Sequence, residues 1–197
     1  MKGLRLPLVL LLFLLPALLP LLRLDRLPCT HDGPFHVYRF VVVGDMLRHG
    51  VFFSRWVPQL ALGHGYPFFN YREPLPYLAG GALYALGVPV TVILGLLYAG
   101  AALAAAWGAF VAARDWVGEP GAWISALAYA LGPYLLLDSL RRGNLPESLA
   151  LGMVPWCLVA FRRLIERGKL RHFAACVGLL AALFLTHNIT SLLLAPF

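Results

Sequence analysis

CTHDGPFHVYRFVVVGDMLRHGVFFSRWVPQLALGHGYPFFNYREPLP, residues 29–76, is the stretch whose reading decides how the chain is organised. It is polar and punctuated by glycine and proline, and it holds Asp32, Asp45, Glu73 and four of the six histidines. The sequence on either side is mostly apolar. Polar chemistry in a membrane protein has to be held at the edge of the hydrocarbon, and this is the only long segment able to supply it.

Working outward, composition sets the class. The chain has 197 residues, of which 60% are hydrophobic, against roughly 45–50% in a soluble domain. A globule of this size has no interior for that excess. The expectation is an all-α integral membrane protein forming a single domain over residues 1–197. The formal charge of +7 lies beside apolar runs rather than on a solvated patch, which argues for membrane lipid and against nucleic acid as a partner. Cys29, Cys157 and Cys176 are far apart and form no CxxC, so they suggest neither a disulfide framework nor a metal cluster.

Lys2 and Arg5 precede a leucine-rich run over 6–22, whose seventeen residues just span the hydrocarbon. No small-x-small cleavage pattern precedes Arg23, so the run is expected to be an uncleaved signal anchor. Residues 23–87 then form a large outer loop with juxtamembrane helices over about 34–47 and 75–86, and 88–197 a four-span bundle. The four expected spans are 88–113, 122–137, 145–161 and 173–185 running on towards Leu194. The connection RRLIERGKLRH carries five bases and is expected to be cytoplasmic. About five spans follow, with Met1 inside and the 29–76 loop and Phe197 outside. The expected location is a plasma membrane, multi-pass, with a cytoplasmic N-terminus.

This topology gathers Asp32, His36, Asp45, Glu73, Asp138, Arg141, Arg142, Glu147, His187 and Asn188 on the outer side. At 100° per residue Asp32, His36 and Arg39 share one helix face, and Asp45, Arg48 and His49 another. A carboxylate beside an imidazole and a guanidinium can move a proton or hold a cation or a phosphate. The plainer alternatives are that Asp32 or Gly33 caps the helix, that Glu73 pairs with Arg72, and that Asn144 and Glu147 form a capping box. Asp32, His36 and His31 could hold a divalent metal, although their spacing is unspecific. Trp56, Tyr66, Phe68, Phe69, Tyr71 and Tyr77 suit an interfacial belt, and such rings also stack on sugars or prenyl chains.

Four stretches taken in order carry a resemblance: HDGPFHVYRF, GVFFSRWVPQLALGHGYPFFNYREPLPYLAG, RRGNLPESLA and THNITSLLLAP. Together they resemble the bacterial 6-pyruvoyl-tetrahydropterin-synthase-related membrane proteins. That family is similar in layout to the GT-C glycosyltransferases, which include protein mannosyltransferases and lipid A aminoarabinose transferases. The resemblance implies a first span, an outer loop with juxtamembrane helices, and a helical bundle. It also implies a sugar carried on a polyprenyl phosphate as donor, with Asp32 matching the acid that activates the acceptor. Glu73 falls where polar residues precede a Pro-Pro-Leu in those enzymes, whereas this chain has Glu-Pro-Leu-Pro. Asp32 and Glu73 are therefore the catalytic candidates. His36, Arg39, Arg141, Arg142, Glu147, His187 and Asn188 are the substrate-binding candidates, with Arg141 and Arg142 neutralising the leaving phosphate. Proteins of this layout usually continue through further spans, so the chain corresponds to an N-terminal portion. The alternative functions are a non-catalytic scaffold that joins a second membrane subunit, or a transporter of lipid substrates. The family name implies pterin chemistry, but no histidine trio with suitable zinc-binding spacing is present to support it.

Overall fold

The computed structural model describes residues 5–23 and 26–196. The expected orientations of Met1, Lys2 and Phe197 fall outside these described residues. Proline and glycine set most of the helix boundaries. Helix α1 (Arg5–Leu18) is the leucine-rich run. Helix α2 (Gly33–Arg48) begins with Pro34 in its first turn. Helix α3 (Pro74–Ala85) starts with two prolines, and the chain turns at Gly87, where φ is +89°. Helix α4 (Val90–Ala130) is followed by a short α5 (Pro133–Leu137) and a π-turn over Asp138–Arg142. Helix α6 (Leu145–Arg167) stops at the left-handed Gly168, and α7 (Leu170–Thr186) and α8 (Asn188–Leu194) complete the fold. Between α2 and α3 lie a 3₁₀ turn at Phe68–Asn70 and one isolated bridge joining Val57 to Tyr66. No strand forms among the described residues.

Helices therefore form over the stretches expected at 34–47 and 75–86, each within one residue of the expected ends. The segment 113–121, expected as a connecting loop, is instead helical on both sides of Gly118, the single non-helical residue at φ 70° and ψ −178°. That one residue reverses the chain. Phe110 and Trp123 are thirteen positions apart yet stack edge-to-face with centroids 5.2 Å from each other. A continuous helix would separate them by about 20 Å. The two legs instead close as a hairpin along Ala102, Ala105, Ala106, Ala122, Ala126 and Ala130, all buried. Likewise RRLIER is the end of α6 and not loop, so Gly168 and Lys169 alone join it to α7.

Helices α4 and α6 form the centre, with α1 packed on α4, α7 on α6, and α2 paired with α3. Residues 90–142 and Leu145–Arg167 are long and apolar enough to cross a bilayer, and α1 and α7 are shorter apolar helices. Small residues bring these helices together, as membrane packing requires when lipid offers no hydrophobic driving force. A Cβ on Gly152 would lie 2.7 Å from the Ala101 carbonyl oxygen, and one on Gly108 would lie 2.8 Å from Trp156 Nε1. The Trp156 indole donates to the Ala104 carbonyl at 2.9 Å across the same contact. In the outer pair, a Cβ on Gly80 would meet the Phe40 ring at 2.2 Å and one on Gly81 would meet Val43 at 2.6 Å.

Because the atom facing Gly152 is backbone, a methyl there has to separate α4 from α6. Gly152→Ala should cost about 1–3 kcal/mol. At Gly100 nothing lies within 4 Å of an added Cβ, and Gly100→Ala should hold or slightly raise stability. Thermal unfolding of the two variants in detergent compares them directly.

Candidate functional site

The site is built on the turn that follows the π-helical segment. Gly143 adopts φ +69°, and its N–H and that of Asn144 both donate to the Asp138 carbonyl, at 2.7 and 3.2 Å. This geometry turns three successive carbonyls outward. Arg141 O accepts from His31 N at 3.2 Å, and Arg142 O accepts from Asp32 N at 2.9 Å. Gly143 O accepts from His36 Nε2 at 2.8 Å. Glycine is required at 143 twice over, since a Cβ would also lie 2.2 Å from Thr30 Oγ1. The start of the outer loop is thus laid against the 141–143 turn, more than a hundred residues away in sequence.

Asp32 is the N-cap residue of α2, but its side chain makes no capping bond. Thr30 Oγ1 accepts from Gly33 N at 3.1 Å instead. The backbone of Asp32 is therefore fixed while its half-buried carboxylate stays uncommitted. His36 is buried, and its neighbours define its tautomer. Nε2–H donates to Gly143 O, and Nδ1 accepts from the Tyr77 hydroxyl at 3.3 Å. That hydroxyl in turn accepts from Arg39 Nη1 at 2.7 Å. The Arg39 guanidinium also sits over the Phe68 and Tyr77 rings, at 4.8 and 5.2 Å from their centroids. Burial, then the Arg39 charge, lower the His36 pKa from 6.5 to about 4, against the opposing pull of the Gly143 carbonyl. Burial likewise raises that of Tyr77. His36 and Arg39 thus lock α2 to the turn and to α3.

The second cluster surrounds Arg142. Its Nη1 donates to Asp138 Oδ1 at 2.8 Å and to Glu147 Oε2 at 3.0 Å. Asp138 is fully buried and also accepts from Ser148 Oγ at 2.9 Å, while Ser148 meets Ser139 at 3.1 Å. Glu147 accepts from Asn144 Nδ2 at 2.8 Å and from the Tyr134 hydroxyl. Its own N–H donates to Asn144 Oδ1 at 3.4 Å, so the expected capping pair forms. Two carboxylates engage one guanidinium here. Arg142 Nη1 is shared between the two acids while the rest of its side chain stays 43% exposed, and the Arg141 side chain is exposed as well. Tyr98, buried among the apolar residues of α4, also belongs to this end of the bundle. Its buried hydroxyl has no hydrogen-bond partner and feels the charges of Asp138 and Asp32. A lone tyrosine within an Ala/Leu/Gly span was the signal available for it.

Glu73 stands at the start of α3 in extended conformation, 6% exposed, with Oε2 buried and unpartnered. The expected alternative of a pair with Arg72 is not among the ion pairs of the described residues, and Oε2 has no hydrogen-bond partner. His187 lies between α7 and α8, 7% exposed. It accepts on Nδ1 from the Thr190 hydroxyl at 2.7 Å and from Thr190 N at 3.3 Å, capping α8. Its ring is within the field of Glu73, Glu147, Arg142 and Arg72, so the two clusters share one end of the bundle. Asn188 is exposed. Asp32, His31 and His36 do not fit a divalent metal, since both His36 nitrogens are engaged. No group of three His, Cys, Asp or Glu placed to hold one occurs among the described residues.

A helical bundle bearing a buried, partly unsatisfied polar cluster at one end defines a membrane protein with a site at the edge of the apolar region. Residues 69–196, about two thirds of the chain, match the 6-pyruvoyl-tetrahydropterin synthase related domain, a membrane protein family. The chain belongs to that family. Among curated proteins and among solved structures, nothing matches it.

The low pKa of His36 gives a pH signature. Its neutral form is what docks, so the stability it confers is complete above about pH 6.5. That stability declines as the pH falls towards 4, by roughly 3 kcal/mol in all. Thermal unfolding in detergent should show this slope, and His36→Gln should flatten it.

Proposed function

We propose that the chain carries the catalytic residues of a membrane glycosyltransferase of GT-C layout. It would move a sugar from a polyprenyl-phosphate donor to an acceptor on the outer face of a bacterial plasma membrane. The observation that carries the proposal is Asp32, whose backbone is anchored to Arg142 O while its carboxylate is uncommitted. It shares one end of the bundle with the unpartnered Glu73 oxygen and the exposed Arg141. The four-motif resemblance supports the same reading.

In this mechanism Asp32 takes the proton from an acceptor hydroxyl as that oxygen bonds to the anomeric carbon. The bond from that carbon to the lipid phosphate breaks, and its electron pair leaves with the phosphate. Arg141 neutralises the charge that develops there. Glu73 accepts a hydrogen bond from the bound sugar or acceptor, which satisfies its buried oxygen. The exposed Phe52, Phe53, Tyr66 and Tyr71 border the prenyl chain. Asp32→Asn should lower sugar transfer by about 10²-fold or more with membrane insertion intact. Unchanged transfer would reject Asp32 as the base. Arg141→Ala should lower transfer without loss of stability. Arg142→Ala should instead destabilise the fold by about 1–3 kcal/mol, because it removes one hydrogen-bond donor from the buried Asp138.

The accompanying topology is five spans, with a cytoplasmic N-terminus and residues 32 and 141 both outside. Cysteines introduced at these two positions, in a background free of native cysteine, should react with an impermeant maleimide added to the outside of cells. Labelling from opposite sides would refute the topology. The scaffold reading has one observation in its favour, an apolar cavity of about 280 Å³ between α6, α7 and α8, lined by Cys157, Phe161, Leu180 and Phe184 among others. A second membrane subunit could fill it, and stable co-purification of such a subunit with an inactive chain would favour that alternative.

A further inference from the structure

A cavity of about 460 Å³ lies away from the cluster described above, between the end of α2 and the loop that follows it. Its lining includes Asp45, Met46, His49, Ser54, Trp56 and Gln59. Its size is within the range of small-molecule sites. We propose that it binds a neutral saccharide, with the Trp56 indole as the stacking surface.

The loop that carries Trp56 is held in place. Val57 and Tyr66 exchange backbone hydrogen bonds of 2.9 and 3.1 Å. Ser54 Oγ donates to Trp56 O at 2.6 Å, and the Tyr38 hydroxyl donates to Gln59 O. Gly65, at φ +82°, brings its backbone against the indole, where a Cβ would lie 2.3 Å from the ring. The indole is thus supported on one side, and it remains 51% exposed.

The polar groups around the ring are mostly acceptors. Arg48 donates to the carbonyls of Tyr84 at 2.8 Å and Ala85 at 3.2 Å and stacks on the Tyr84 ring. It reaches Asp45 Oδ1 at only 3.5 Å, which leaves that carboxylate largely open. His49 Nδ1–H donates to Asp45 O at 2.8 Å, so Nε2 of the neutral ring carries a bare lone pair. Ser54 has spent its proton on Trp56 O and offers lone pairs. A ligand rich in hydroxyl donors matches this set, and its apolar C–H face matches the indole. An anion does not, because a carboxylate and bare acceptors would repel it. The donor's phosphate therefore belongs elsewhere, and this cavity is suited to the carbohydrate of an acceptor or a neighbouring glycan.

Binding is measurable without any donor, so failure of this site and failure of sugar transfer are separate results. The full chain in nanodiscs is titrated with chitotriose, maltotriose and mannotriose, and binding is followed by saturation-transfer NMR. At least one trisaccharide should bind, with ring C–H protons the most strongly saturated. Trp56→Ala should weaken that binding tenfold or more, Trp56→Tyr should largely retain it, and Asp45→Asn should weaken it severalfold. The Asp45 change is at an exposed side chain, so it tests the site even if Trp56→Ala fails to fold. The proposal is overturned if none of the three binds, or if binding is indifferent to both Trp56→Ala and Asp45→Asn. It is also overturned if brominated lipid quenches a fluorescence component that Trp56→Phe removes, since the indole would then be in the bilayer.

Discussion

Three consecutive carbonyls, those of Arg141, Arg142 and Gly143, accept hydrogen bonds from His31 N, Asp32 N and the His36 ring. An all-helical membrane protein satisfies its backbone within each helix and has little left with which to tie distant segments together. The π-turn and the left-handed glycine free these carbonyls from the helix ladder and aim them at one partner segment. Everything at this end of the bundle follows from that contact. It fixes Asp32, the residue that precedes α2, and the neutral His36 carries the constraint through Tyr77 to α3. Helix α3 in turn presents Glu73 beside the α7–α8 junction.

A division of labour among the polar residues results. The guanidinium of Arg142 and the carboxylates of Asp138 and Glu147 satisfy one another, aided by Ser148, Asn144 and Tyr134. Such a network stabilises a unique arrangement. Asp32, the Glu73 Oε2 atom and the Tyr98 hydroxyl are outside any such network. A buried polar atom without a partner is costly, and in a functional site the missing partner is supplied by water or by substrate.

The sequence made the helices legible because apolar runs bounded by proline and glycine leave few alternatives, and α2 and α3 fall within a residue of expectation. Gly118 was harder to see. The residues on both sides are good helix formers, so the turn is concentrated in one φ/ψ choice and not spread over a loop. The site was legible as a set of residue types brought to one end, but not as a set of partnerships. Nothing local distinguishes Arg141 from Arg142. That one is exposed and the other lies between two acids depends on how the π-turn rotates successive side chains. His36 was expected to touch substrate because an imidazole near an acid suggests proton transfer. Its actual acceptor, a carbonyl 107 residues further along the chain, is set only by tertiary packing.

The position of Asp32 shows why the same contact can serve structure and chemistry at once. An acid used as a general base has to be held in place without its oxygens being spent on the holding. Asp32 meets this requirement because its backbone N–H is the anchor and Thr30 performs the helix capping that an N-terminal aspartate would ordinarily perform. The roles that a short sequence window would assign to Asp32 are thus divided between two neighbours, and the carboxylate is what remains free. Asp138, of the same residue type and at the same end of the bundle, shows the opposite outcome. Its carboxylate is fully buried and held by Arg142 and Ser148, so it supports the turn, while the half-buried Asp32 carboxylate has no such partners.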